Sequence, residues 1–178
     1  MNNSHYRCWR KYNEHIYYGN NNKAKINLIL AISRNNILYY EFHGNNTNTS
    51  IFLNFMQKIA EKIKENTITK YVIILDNCTI HKSQELIELY KKEKLNILFL
   101  VPYASYFNSI ELCFRALKQM IYSRLYESLD DLKKDIETFL ASESIQKTIY
   151  LNFKETLEEY LYFFKNHQYE NLNQYEII

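Results

Sequence analysis

The sequence predicts an α/β fold, a mixed sheet flanked by helices, and three features carry that reading. Tyr71 to Leu75 and Ile97 to Val101 are continuous apolar runs, the pattern of strands covered on both faces. Ser83 to Lys94 between them reads as a crossover helix, which makes the two strands parallel. Lys25 to Ser33 and Ile37 to His43 are β-rich runs separated by the turn signal Arg34-Asn35-Asn36, and form an antiparallel hairpin.

The other elements follow in order. Residues 1–22 are polar and aromatic, with Arg7, Arg10 and Lys11 clustered around Trp9, and read as a basic surface arm. After Gly44 and a polar loop, Phe52, Phe55, Ile59 and Ile63 recur at helical spacing while Lys58, Lys62 and Lys64 take other faces, which makes an amphipathic helix. From Asn108 onward, Ile110, Cys113, Phe114, Leu117, Met120 and Ile121 form one apolar stripe. Leu129 to Leu140 and Ile145 to Lys165 are two further helical patterns, whose tyrosines and phenylalanines are read as core. The polar Asn/Gln/Tyr end is read as a segment that frays.

Composition narrows the class. A chain of 178 residues with 47% apolar and 24% charged residues is long enough to bury a sizeable core and is not disordered throughout. A formal charge of +2 does not mark a nucleic-acid binder, so any such surface has to be a local patch. Three cysteines, Cys8, Cys78 and Cys113, are odd in number and lack metal-ligand spacing, which favours reduced thiols inside a cell. No apolar run reaches the roughly 18–20 residues of a membrane span, and the start is no secretory signal.

Two acids are held at set places in this layout. Asp76 stands where the first apolar strand stops, and Glu111 stands in the first turn of a helix that Asn108 caps, because Asn followed three residues later by Glu resembles a capping box. Strand ends and helix starts share one edge of an α/β sheet, where ligands bind. Asn77 reads as a turn-former that orients Asp76, and His81 either as a group that orients DNA or a water, or as a structural histidine. Arg115 and Lys118 follow Glu111 at helical spacing and are candidate phosphate contacts, as is the arm of Arg7, Trp9, Arg10 and Lys11.

A hairpin, a helix and a parallel βαβ unit followed by helices make up most of a ribonuclease H-like mixed sheet, with the first strand missing or incomplete. Residues 72–86, VIILDNCTIHKSQEL, and 97–121, ILFLVPYASYFNSIELCFRALKQMI, resemble the second half of the DDE catalytic domain of the mariner superfamily of transposases. There an apolar strand ends in Asp-Asn with a His five residues beyond the Asp, followed by a Leu-Pro-x-Tyr turn and an Asn-x-Ile-Glu helix start. Here 34 residues separate Asp76 from Glu111, a spacing similar to that of the superfamily. Residues 5–14 also resemble its Trp-Arg-Lys segment, and the likeness runs from about His5 to Leu140.

The resemblance implies metal-dependent DNA cleavage and strand transfer on transposon ends and target DNA, by members that commonly pair as dimers, in the nucleus if the host is eukaryotic. It divides the chain into an arm, 1–22, a partial DDE-type catalytic domain, 23–141, and a C-terminal helical extension, 142–178. The reaction uses two Mg²⁺ or Mn²⁺ ions about 3.5–4 Å apart, held by carboxylates. Asp76 and Glu111 would each serve one, and the bridging aspartate belongs to a strand ahead of the Trp-Arg-Lys segment. No acid precedes Glu14 here, which lies after that segment, so weak metal binding and little cleavage are expected of the chain by itself. Val101-Pro102 and Ala104 to Phe107 also depart from the family's turn. A non-catalytic transposon-derived DNA- or protein-binding module and an unrelated ribonuclease H-like nuclease are the rival readings.

Overall fold

Alternating apolar side chains build three layers, with the strands, hydrogen-bonded among the described residues as a two-stranded and a three-stranded sheet, between two groups of helices. A computed structural model describes residues 26–34, 36–44, 46–68, 70–100, 108–165 and 176–177, the last two residues and 157–165 as backbone alone. Its strands are β1 (Asn27–Ile32), β2 (Ile37–His43), β3 (Tyr71–Leu75), β4 (Ile97–Phe99) and β5 (Glu176–Ile177). Its helices are α1 (Thr49–Glu65), α2 (Gln84–Lys92), α3 (Ser109–Tyr122), α4 (Leu129–Leu140) and α5 (Glu143–Lys165).

The hairpin and the βαβ unit form as the patterns predict. β1 and β2 pair antiparallel, with Leu30 opposite Tyr40, and the Ser33 N–H closes the turn on the Asn36 carbonyl at 2.8 Å. β3 and β4 pair parallel, with Ile73 opposite Ile97 and Ile74 opposite Leu98. β4 is shorter than the apolar run, although the buried Leu100 still donates its N–H to the Leu75 carbonyl at 2.8 Å. Residues 101–107 lie outside the described residues.

Strand parity decides which layer each side chain enters. Leu28, Leu30 and Ile32 of β1, Val72 and Ile74 of β3 and Leu98 of β4 pack with Cys113 and Leu117 of α3, Ile136 and Leu140 of α4, and Ile145, Ile149 and Phe153 of α5. Ile29, Ala31, Tyr71, Ile73, Leu75, Ile97 and Phe99 face the other way, onto Phe52, Phe55, Met56, Ile59 and Ile63 of α1 and Leu86, Leu89 and Tyr90 of α2. Burial pushes the Cys113 thiol up to about 11 and the Tyr90 hydroxyl up to about 12.

Two expectations about the tail are corrected. Its polar end does not simply fray, because Glu176–Ile177 adds to β3 as a parallel strand, with Tyr71 opposite Glu176 and Val72 opposite Ile177. The free edge of β3 supplies that ladder, and a sequence window cannot see an edge. Nor are all the tail's aromatic residues core: Phe153 is buried, but Tyr150 is 43% exposed. Ile145, Ile149 and Phe153 repeat every four residues along one face of α5, whereas Tyr150 follows Ile149 by one residue, about 100° round the helix.

With glycine scarce, α1 and α2 both end on non-glycine residues in the left-handed region, Thr67 at φ 53° and Lys94 at φ 54°. Each helix closes with a Schellman bond, from the Ile68 N–H to the Ile63 carbonyl at 3.1 Å and from the Leu95 N–H to the Tyr90 carbonyl at 2.8 Å. A β-branched residue pays the larger steric cost there, so Thr67→Gly is expected to stabilise the fold by about 1 kcal/mol in urea unfolding. A destabilised Thr67→Gly protein would mean that the side chain earns its place through contacts.

Candidate functional site

Asp76 is the first residue beyond β3, and one of its carboxylate oxygens is fixed from two sides. The Cys78 N–H donates to Oδ1 at 3.0 Å, closing an Asx turn, and His81 Nδ1 lies 2.9 Å from the same oxygen. Oδ2 has no partner among the described residues, so the half-exposed carboxylate presents one free oxygen. A 3₁₀ turn, Thr79–Lys82, returns His81 to the strand end. The imidazole stacks on the buried Phe52 of α1 with ring centroids 4.2 Å apart, and the His81 carbonyl accepts the Tyr90 hydroxyl at 3.2 Å. His81 is therefore built into the core on one side and orients Asp76 on the other.

The neighbouring groups fill in the site. Asn77 Oδ1 accepts from Lys82 Nζ, and that ammonium sits 5.0 Å from the Phe99 ring centroid. Nothing in the local pattern singles out Lys82 or Phe52, because each gains its role from a partner on another element. Glu111 lies in the first turn of α3, exposed and with no ion pair among the described residues.

Asn108 stands at the N-cap position of α3, but its side chain makes no capping bond. Its backbone explains the difference. Asn48 and Ser128, with ψ of 177° and 164°, both cap their helices through the side chain, while Asn108 has ψ 102°. Its carbonyl serves the helix, accepting the Glu111 N–H at 2.9 Å, and the residue lines a cavity.

That cavity, of about 300 Å³, brings the strand end and the helix start together. Asp76, His81, Asn108 and Glu111 line it, together with β1 residues from Leu28 to Ile32 and Phe153 of α5. Two carboxylates on a shared cavity are hard oxygen donors that suit Mg²⁺ or Mn²⁺, whereas the His81 ring is turned to Asp76. Among the described residues no group of three or more His, Cys, Asp or Glu side chains is placed to hold a metal.

Removal of an outer-shell partner that orients a carboxylate typically costs 10- to 100-fold in metal affinity. His81→Ala is accordingly expected to weaken Mn²⁺ binding about 10- to 100-fold in an electron paramagnetic resonance titration. Unchanged binding would show that Asp76 holds its orientation through the Cys78 bond alone.

The candidate DNA contacts divide. Arg115 and Lys118 are exposed, continue the face of α3 on which Glu111 lies, and have no ion pair among the described residues. Arg7, Trp9, Arg10 and Lys11 lie outside the described residues.

Helices, strands and helices in three layers, with two acids lining one cavity at a strand end and a helix start, are the arrangement of a ribonuclease H-like fold. The family model described as DDE superfamily endonuclease matches residues 8–133, and the chain belongs to that family. Among solved structures it is similar to the catalytic domain of Mos1 mariner transposase, with a TM-score of 0.69 at 13% identity over 82% of this chain and 74% of that one. The Mos1 catalytic domain solved with raltegravir and Mn gives 0.67 at 12% identity, covering 75% and 70% of the two chains. The Mos1 paired-end complex with left transposon end gives 0.70 at 13% identity, covering 84% of this chain and 46% of that one. At these identities the likeness is one of fold. A comparison with curated proteins finds no match. Mos1 catalytic-domain structures exist with Mn and with Mg, and divalent metal use belongs to the family.

Proposed function

We propose that this chain forms part of the active core of a mariner-like transposase, in which Asp76 and Glu111 each serve one divalent cation during DNA cleavage and strand transfer. The observation that carries the reading is that both carboxylates line one cavity at the sheet edge, and each has an oxygen with no partner among the described residues. A cation pair bound there would activate the attacking water or 3′-hydroxyl and stabilise the leaving oxygen. The protein's own part is positional. The Cys78 N–H and His81 hold one oxygen of Asp76 and leave the other free, and the first turn of α3 carries Glu111, which lines the same cavity. The third carboxylate is assigned, on the family resemblance, to a strand ahead of Trp9.

Transposon-end and target DNA are the proposed partners, with two copies pairing on two ends and, in a eukaryotic host, acting in the nucleus. Solved Mos1 structures include a paired-end complex with left transposon end and a strand transfer complex. Arg115 and Lys118 extend the acid-bearing face of α3 and are placed to meet backbone phosphates. Replacing both by Ala is expected to lower the slope of log affinity against log salt by about 2, weakening binding to all duplexes alike. An unchanged slope would move the DNA path off α3.

The direct test of the reaction is nicking of supercoiled DNA that requires Mn²⁺ or Mg²⁺, stops with chelator and depends on Asp76. The non-catalytic reading has one observation in its favour, the lack of a three-ligand group among the described residues. DNA binding that never leads to cleavage, even with an upstream strand supplied, would establish it.

A further inference from the structure

The end of α3 leaves two large apolar side chains in water, Tyr122 at 75% exposed and Leu125 at 81%. The segment that carries them is fastened at several points. Arg124 and Tyr126, on either side of Leu125, both bind one carboxylate of α4: Arg124 pairs with Asp135 Oδ1, and the Tyr126 hydroxyl donates to Asp135 Oδ2 at 2.6 Å. Ser123 closes the helix, its N–H on the Gln119 carbonyl at 3.2 Å and its hydroxyl on the Met120 carbonyl at 2.7 Å. A side chain held on a fixed backbone loses little freedom when a ligand covers it.

An exposed apolar residue is ordinary by itself, but the place of Tyr122 is not. At 3.6 residues per turn, Glu111, Arg115, Lys118 and Tyr122 fall within about 60° of arc, in a line about 16.5 Å long. Along that line come the carboxylate that lines the cavity, two exposed cations with no ion pair, and a ring whose hydroxyl has no hydrogen bond among the described residues. Cations followed by an aromatic ring are the parts of a single-strand track, in which phosphates meet the cations and a base stacks on the ring. The acids that follow in the chain are largely engaged: Asp135 holds Arg124, Asp130 lies 3.6 Å from Lys133, and Asp131 accepts from the Ser128 hydroxyl at 2.7 Å. Area argues against a second copy of the chain as the occupant. An aromatic side chain buries about 150–250 Å², whereas a stable protein interface takes about 800 Å² from each partner.

We propose that Tyr122 is a stacking platform for an unpaired DNA base, on a strand whose phosphates pass Lys118 and Arg115 on the way to the cavity of Asp76 and Glu111. The proposal rests on the DNA reading of α3 and adds the form of the substrate, a strand that is opened or single where it crosses the end of the helix. A base inside a closed duplex keeps both faces on its neighbours and has to be unstacked first, while an unpaired base offers its face to the ring at little cost.

The test is fluorescence anisotropy of the full chain with a labelled oligo-thymidine and with a labelled duplex, in chelator so that cleavage plays no part. Tyr122→Ala is expected to weaken oligo-thymidine binding about tenfold while leaving duplex binding and the salt slope unchanged, because a stacking surface is lost and no charge is. Tyr122→Phe keeps the ring and should bind as the unsubstituted chain does, whereas Tyr122→Leu is apolar without a ring and should fall with Tyr122→Ala. The exposed position predicts unchanged thermal unfolding for all three; should Tyr122→Ala melt early, the comparison of Tyr122→Phe with Tyr122→Leu decides. Equal loss on single strand and duplex, no loss on either, or full binding by Tyr122→Leu overturns the stacking role and leaves the DNA reading of α3 standing. Failure of the unsubstituted chain to bind either DNA removes both. A self-associated chain that Tyr122→Ala renders monomeric would give this face to a second copy and overturn the proposal as well.

Discussion

Nicking of supercoiled DNA in Mn²⁺ is expected to be about 10²- to 10³-fold faster for a version extended upstream by an apolar strand ending in aspartate than for the 178-residue chain. Phosphoryl transfer asks little covalent chemistry of the protein. Its acceleration comes from positioning and from charge placed to meet the developing negative charge, so a site without one of its metal-holding groups loses much of it. Asp76 and Glu111 supply two carboxylates to the cavity, and no three-ligand group occurs among the described residues. Glu14 is a poor substitute, since it follows the Trp-Arg-Lys segment that the family's aspartate precedes, and no apolar strand leads into it. Robust nicking by the short chain that disappears on Asp76→Ala would sink this expectation and locate the third ligand within the 178 residues.

The second large effect concerns the two acids themselves, measured in whichever version cleaves. Asp76→Asn and Glu111→Gln are each expected to lower the nicking rate by about 10²- to 10³-fold with little change in thermal unfolding. Both substitutions keep shape and remove charge. At Asp76 the amide oxygen can still accept the Cys78 N–H, so the Asx turn survives while the hard anionic ligand is lost. Glu111 is exposed and has no ion pair among the described residues, so the fold has little to lose there. Removing both acids together should cost scarcely more than removing one, because metal-holding groups act as a unit. A fall of less than about threefold for either single variant would return that residue to a turn or helix-start role.

Much of this was legible in the chain because it is local. The period-two and period-3.6 patterns located the hairpin, α1, the parallel pair and the α3 stripe, and the run ending at Leu75 put Asp76 at a strand end. What escaped depends on partners distant in sequence. Asn108 fits a capping pattern, yet with ψ at 102° its side chain makes no capping bond, and backbone angles at a helix start answer to the packing around it. His81 gains its role from Phe52, 29 positions earlier, and Tyr90, nine later, so no window shows that its ring is clamped against α1 while it orients Asp76.

The sequence by itself determined the elements, the two-sided burial of β3 and β4, and the placing of two acids beside a strand end and a helix start. Burial periodicity and chain order are written residue by residue, and these properties follow from them. Only the tertiary structure decided that both acids face one cavity, that α5 contributes Ile145, Ile149 and Phe153 to the core under β1 and β3, and that the chain's last strand lies on the β3 edge. Those outcomes depend on which free edge and which apolar face remain open once the rest has packed. A two-residue strand such as Glu176–Ile177 carries too little pattern of its own to announce itself, and its pairing is set by the unpaired peptide groups of β3.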